Sequence, residues 1–293
     1  MELQYEVVDV FTERPLEGNP LAVFTNAAGI EGSLMQQIAK ELNLAETAFI
    51  LPATREDCDV RLRIFTPAQE MLFAGHPTIG SAFVARKNGF VPRDAMHFVL
   101  EENVGAVPIR VESESDPMLW LRTPPISKGS TFDRAACATA VGLSVDDLLP
   151  DVPCEIWTAG NPTMYVAVRD RAAVDRAEVD TVALRKLYAN EREAICTFVF
   201  APVAQGAYSR MFALELGVAE DPATGSSTGP LAAFMIQYGI APSTADGARF
   251  MSEQGTKIGR RSELHVRLCG ERGSDGIEVG GYVAPLTVAT MRL

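Results

Sequence analysis

The sequence predicts an α/β (α+β) protein built twice over, with two pseudo-symmetric lobes in one chain of 293 residues. Length and an apolar share of 47% allow one large domain, or two of about 150 residues with separate cores. The choice of two rests on three phrases that recur in order. "GNPLAVF" at 18–24 returns as "GNPTMYVAV" at 160–168, and "ETAFILP" at 46–52 as "CTFVFAP" at 196–202. "IFTPAQEMLFAGHP" at 64–77 returns, two residues shorter, as "MFALELGVAEDP" at 211–222. Any one echo is easily coincidence, but three in the same order mark a duplication. Two such copies facing one another would enclose a cleft.

The opening "YEVVDVF" and "NPLAVFT" have the β-branched and aromatic content of strands, separated by the turn-rich "TERPLEGNP". "SLMQQIAKELN" places Leu34, Ile38 and Leu42 on one helical face, with Ser33 and Gln36 spaced as a capping box. "ETAFILPA" and "DVRLRIFT" read as strands, 77–88 as a helix stopped by Gly89, and "DAMHFVLEENVGAVPIRVE" as further strands. "LRTPPISKGS" at 121–130, with adjacent prolines, reads as the linker between domains. The expected division is 1–123 with a C-terminal strand from 280–293, against 124–279.

The net charge is −12 and no Lys/Arg-rich run is present, so nucleic acid and anionic membranes are poor partners. The N-terminus is acidic where a signal peptide is basic, and no apolar stretch approaches the ~20 residues of a membrane span. Five cysteines without CxxC spacing read as reduced thiols of a cytoplasmic protein. Three histidines, at 76, 97 and 265, speak against a multi-His metal site. Nucleotide-loop, zincin and nucleophile-elbow motifs are all absent, and the expectation is a reaction with no cofactor and no metal.

The third echo carries the candidate chemistry. Aligning Pro77 with Pro222 sets Gly80 on Gly225, Ser81 on Ser226 and His76 on Asp221. Each phrase would run from a strand end through a polar residue into a helix led by proline, which has no N–H to leave unpaired. A glycine there lets backbone approach a ligand, and a helix start offers free amides with roughly half a positive charge. Two such starts would hold a substrate carboxylate without Arg or Lys. Taken alone, Asp221 reads as a helix cap, His76 as a core histidine, and both glycines as packing residues. Glu46, between a helix ending near Asn43 and an apolar strand, is the candidate acid/base. Partial desolvation there would raise its pKa, although from spacing alone a solvent-facing Glu at a strand end is the better reading. The second half has an apolar residue at the matching place, near Ile195.

"DVFTERPLEGNPLAVF", "LNLAETAF", "AGHPTIGSA", "EDPATGSS" and "EQGTKIGR" together resemble the phenazine-biosynthesis isomerase-like (PhzF) family across nearly the whole chain. The resemblance implies a diaminopimelate-epimerase-like fold, each lobe a curled mixed sheet around a central helix, and a homodimer. It implies Glu46 as the proton-transferring residue, with His76 and Asp221 as its polar partners. Gly75, Thr78, Gly225 and Ser226 are the expected substrate contacts. The implied activity is a cofactor-independent isomerase moving a proton between carbons of a small carboxylate, such as a dihydro-hydroxyanthranilate. Related epimerases of this fold use two cysteines at the two turns, and neither turn here contains one. Ala45 replaces a Ser usual before the Glu, and Arg261 a usual Pro. The alternatives are an epimerase, with Asp221 as the second acid, and a non-catalytic binding protein.

Overall fold

The computed structural model describes residues 1–293 and divides into two compact units. The first is Met1–Arg122 with Gly280–Leu293, and the second is Thr123–Val279.

The first unit begins with β1 (Glu2–Val10) and β2 (Asn19–Phe24), an antiparallel pair. Helix α1 (Gly32–Leu42) buries Met35, Ile38 and Ala39, and Asn43 ends it in the left-handed conformation at φ 52°. The Ser33–Gln36 capping box does not form. Glu31 is the N-cap, and Gln36 instead donates its amide to the Thr66 carbonyl at 2.9 Å. Tyr5, Phe24 and Phe49 stack in sequence at centroid spacings of 4.9 Å beneath α1. Each buried ring contributes roughly 2–3 kcal/mol.

β3 (Glu46–Pro52) runs parallel to β2 with Glu46 opposite Leu21. β4 (Val60–Phe65) and β5 (Glu70–Met71) lead into α2 (Gly75–Asn88). β6 (His97–Glu102), parallel to β4, is followed by β7 (Gly105–Val111) and β8 (Leu119–Arg122). Helix α2 touches β1, β2, β3, β4 and β8, and ten of its residues between Gly75 and Ala85 are buried. A helix buried on every side has no amphipathic stripe, and its small residues let the sheet curl around it. A Cβ on Gly80 would stand 2.6 Å from Leu21 Cδ2 and 2.8 Å from Val10 Cγ2, so this glycine serves helix–sheet packing rather than ligand approach.

The second unit repeats this plan. β9 (Ser127–Phe132) starts within the expected linker, leaving 123–126 irregular after β8. α3 (Arg134–Ala140), β10 (Cys154–Thr158), β11 (Thr163–Ala167), α4 (Arg171–Arg176) and α5 (Thr181–Leu187) follow. Then come β12 (Cys196–Val203), β13 (Gly206–Ala213), β14 (Val218–Asp221) and the central helix α6 (Gly225–Gln237). β15 (Arg249–Gln254), β16 (Ser262–Cys269) and β17 (Gly276–Gly281) complete the set, and β18 (Val283–Arg292) joins β1 in the first unit. The pairings β11–β12 and β13–β15 are parallel, as are β2–β3 and β4–β6.

The two central helices fix the register of the repeat, and it is not the proline register. Gly75 and Gly225 are both first helical residues, each four residues beyond the end of a short strand. His76 therefore matches Ser226, and Asp221 matches Met71. Pro77 is the third residue of α2, whereas Pro222 lies outside α6, so neither proline opens its helix. Proline fits both places because neither needs a helical N–H donor.

Candidate functional site

In the first unit, the parallel register of β2 and β3 brings Asn19 and Glu46, at their leading ends, to the start of α2. Glu46 Oε2 lies 2.9 Å from His76 Nδ1, with side-chain exposures of 15% and 4%. The Asn19 side-chain amide lies 3.2 Å from the same Nδ1. That nitrogen carries one lone pair or one proton, so it either donates to the Glu46 carboxylate or accepts from Asn19 or a protonated Glu46. A proton can thus rest on either member of the pair. The other ring nitrogen, Nε2, is buried and has no protein partner. An unpaired imidazole nitrogen beside a carboxyl suits exchange of protons with a bound molecule.

A second carboxyl lies beneath this pair. Glu102, the last residue of β6, is 5% exposed, and its Oε1 is 2.6 Å from Thr78 Oγ1. Burial pushes its carboxyl up to about 8, a hydrogen bond donated by Thr78 to the ionised form would oppose that, and the charge of Glu46 adds to the rise. Thr78, expected among the substrate contacts, is fully buried, with its hydroxyl 2.7 Å from the Ala74 carbonyl and shared with Glu102. It faces protein.

The second unit builds the same turn from different groups. Asn161 donates its side-chain amide to Ser226 Oγ at 3.1 Å, as Asn19 approaches His76. Thr228 Oγ1 donates to the Thr224 carbonyl at 3.0 Å, as Thr78 does to Ala74. Asp221, 8% exposed, accepts the Thr224 hydroxyl at 2.5 Å through Oδ2. Gln254 closes β15 where Glu102 closes β6, donating to the Asp221 carbonyl at 2.7 Å and to Thr224 Oγ1 at 3.0 Å. Its Oε1 accepts the Thr224 N–H at 3.2 Å. Cys196, first residue of β12, occupies the place of Glu46.

Asp133, Asp170 and Asp180 cap α3, α4 and α5 with side-chain acceptors. Neither Ala74 nor Thr224 caps its central helix in this way. The first amides of α2 and α6, at Gly75 and Gly225, are therefore not occupied by a capping side chain. Asp221 is no cap for α6 either, because it ends β14 three residues before the Thr224 N-cap. Of the expected residues, Glu46, His76 and Gly75 come together in the first unit. Asp221, Gly225 and Ser226 come together in the second. Sequence reasoning passed over Asn19, Asn161, Glu102 and Gln254. The repeated "GNP" was the signal for the asparagines, since each supplies the side chain that meets the second residue of a central helix.

No cluster of three or more His, Cys, Asp or Glu side chains is placed to hold a metal ion. All five cysteines are free thiols, and no helix is long and apolar enough to cross a membrane.

A curled mixed sheet around a buried helix, made twice, is the architecture this chain shares with the solved structures of its relatives. The chain belongs to the phenazine biosynthesis-like protein (PhzC-PhzF) family, whose model matches residues 8–287. It is 34% identical over 288 residues, 95% of each chain, to the trans-2,3-dihydro-3-hydroxyanthranilate isomerase of Pseudomonas aeruginosa. Among solved structures, a PhzF-family protein of Bacillus anthracis is 23% identical, with a TM-score of 0.89 over 100% of both chains. A Pseudomonas aeruginosa protein described as a predicted epimerase is 33% identical, with a TM-score of 0.83 over 99% of both chains. This protein is accordingly an isomerase.

Proposed function

We propose that the protein moves a proton between carbons of a small carboxylate-bearing metabolite, with Glu46 as the group that takes and returns it. The observation that carries this reading is the 2.9 Å contact between Glu46 Oε2 and His76 Nδ1 at an uncapped helix start. Glu46 is largely sheltered from water, so an abstracted proton exchanges slowly with solvent. His76 holds Glu46 in place and offers Nε2 to a substrate substituent. The substrate carboxylate binds first-turn amides and absorbs the enolate-like charge that develops when the neighbouring C–H is broken. Transfer of a proton from carbon to carbon changes no oxidation state and needs only one such shuttle.

The name of the 34%-identical relative makes trans-2,3-dihydro-3-hydroxyanthranilate the first compound to test. Turnover followed by NMR in D₂O is expected to give product retaining part of the substrate hydrogen, and Glu46→Gln is expected to slow it by about 10³-fold. Full activity of the Gln variant would remove Glu46 from the reaction. The epimerase description of the 33%-identical protein favours a second reading, in which a second acid works from the opposite face. Complete deuterium incorporation with inversion at one carbon would select it.

A further inference from the structure

The Thr78 hydroxyl has one hydrogen and two close oxygens, the Ala74 carbonyl at 2.7 Å and Glu102 Oε1 at 2.6 Å. The carbonyl can only accept, so for both contacts to be hydrogen bonds the Thr78 proton must go to it. Two oxygens at 2.6 Å without a hydrogen between them repel, and the second hydrogen can come only from the Glu102 carboxyl. Its other oxygen, Oε2, is buried without a partner, a place where a charged carboxylate would be strongly penalised. The second unit gives independent support, because the matching strand end carries Gln254, a neutral isostere that also serves its helix start.

We propose that Glu102 is a positioning residue that keeps its proton at neutral pH and, through Thr78, holds the first turn of α2, and with it His76, against Glu46. The surroundings agree. From β3 the charged group facing it is Glu46, and from α2 the titratable group is His76, paired with Glu46. Neighbouring Glu101 turns to Thr54 and Arg61, while Glu70 on β5 is taken by Arg63 and Asn103. No cation therefore contacts the Glu102 carboxyl. When it ionises, with its pKa raised to about 8 chiefly by burial, two like charges stand together and the donor that tethers Thr78 is lost. This inference concerns a proton and a helix turn, and it stands whether or not the proposed substrate is turned over.

The test uses the whole protein labelled with ¹⁵N-histidine, whose three histidines give a simple spectrum assigned by His76→Asn. In the wild type the His76 ring signals are expected to step near pH 8, and in Glu102→Gln the step is expected to vanish while the pH 6 spectrum is preserved. Glu102→Ala is expected to disturb His76 even at pH 6, with Gln as the rescuing substitution. An identical His76 profile in wild type and Glu102→Gln overturns the proposal. A second measurement needs no variant: ¹³C-labelled glutamate carboxyls should include one still protonated at pH 7. If every glutamate titrates below pH 6, Glu102 is an ordinary carboxylate and the idea fails.

Discussion

The two central helix starts share a frame and differ in what they carry. In both, an asparagine meets the second helical residue, a threonine hydroxyl bonds the carbonyl four residues back, and the closing residue of a strand supports the turn. The first unit fills this frame with Glu46, His76 and Glu102, the second with Cys196, Ser226 and Gln254. The first copy carries a carboxyl–imidazole pair at its helix start, which the proposed proton transfer uses. The second has hydroxyl and amide hydrogen-bonding groups at that place, with Asp221 on the preceding strand. A duplicated scaffold can thus divide labour by changing three side chains while leaving its backbone plan alone.

The sharpest way to break this comparison is to neutralise the first copy. Glu46→Gln should lower turnover by about 10³-fold, within the usual range for losing a general acid/base, with folding unchanged by circular dichroism. An equal loss in Ser226→Ala would deny the division of labour.

Stability against pH is the next largest effect. Glu102 has a folded pKa near 8, above its ordinary 4.5, so its contribution is fully present below pH 4.5 and is lost as pH rises to about 8. Between those limits it steepens the fall in wild-type stability by up to roughly 1.4 kcal/mol per pH unit. Urea denaturation from pH 5 to 9 should show a shallower slope in Glu102→Gln.

Exchanging character in the other direction tests the second copy. Gln254→Glu removes an amide that donates to the Asp221 carbonyl and to Thr224, and sets a carboxylate against that carbonyl. A loss of about 2–4 kcal/mol at pH 8, partly regained at pH 5, is expected from thermal unfolding. The smallest effect separates the two threonines. Thr228→Val should cost about 1 kcal/mol, and Thr78→Val more, because it also strips Glu102 of its partner.

Much of this was legible in the sequence, and the exceptions have a common cause. The duplication, the helix ending at Asn43, the Gly89 stop and the strand that opens on Glu46 all follow from periodicity and turn chemistry. The register of the repeat did not, because matching Pro77 with Pro222 follows residue identity, while the fold repeats backbone position. A proline can sit in a first helical turn or ahead of it with equal ease, so it is a poor ruler. Glu102 was hidden for another reason. In "HFVLEEN" it looks like one of two solvated acids, and only its pairing across β6 reveals that it turns inward to Thr78.

The first and last strands of the chain are neighbours, with β1 lying between β2 and β18 and the Met1 amino group donating to the Leu293 carbonyl at 2.5 Å. The unit bearing Glu46 is therefore assembled from two stretches far apart in sequence, whereas Thr123–Val279 is one uninterrupted stretch. Pairing β1 with β18 closes a far longer loop of chain than any pairing within the second unit, so it is the entropically costlier step in forming a sheet. Removing Ala284–Leu293 would leave β1 with a bare edge opposite β2.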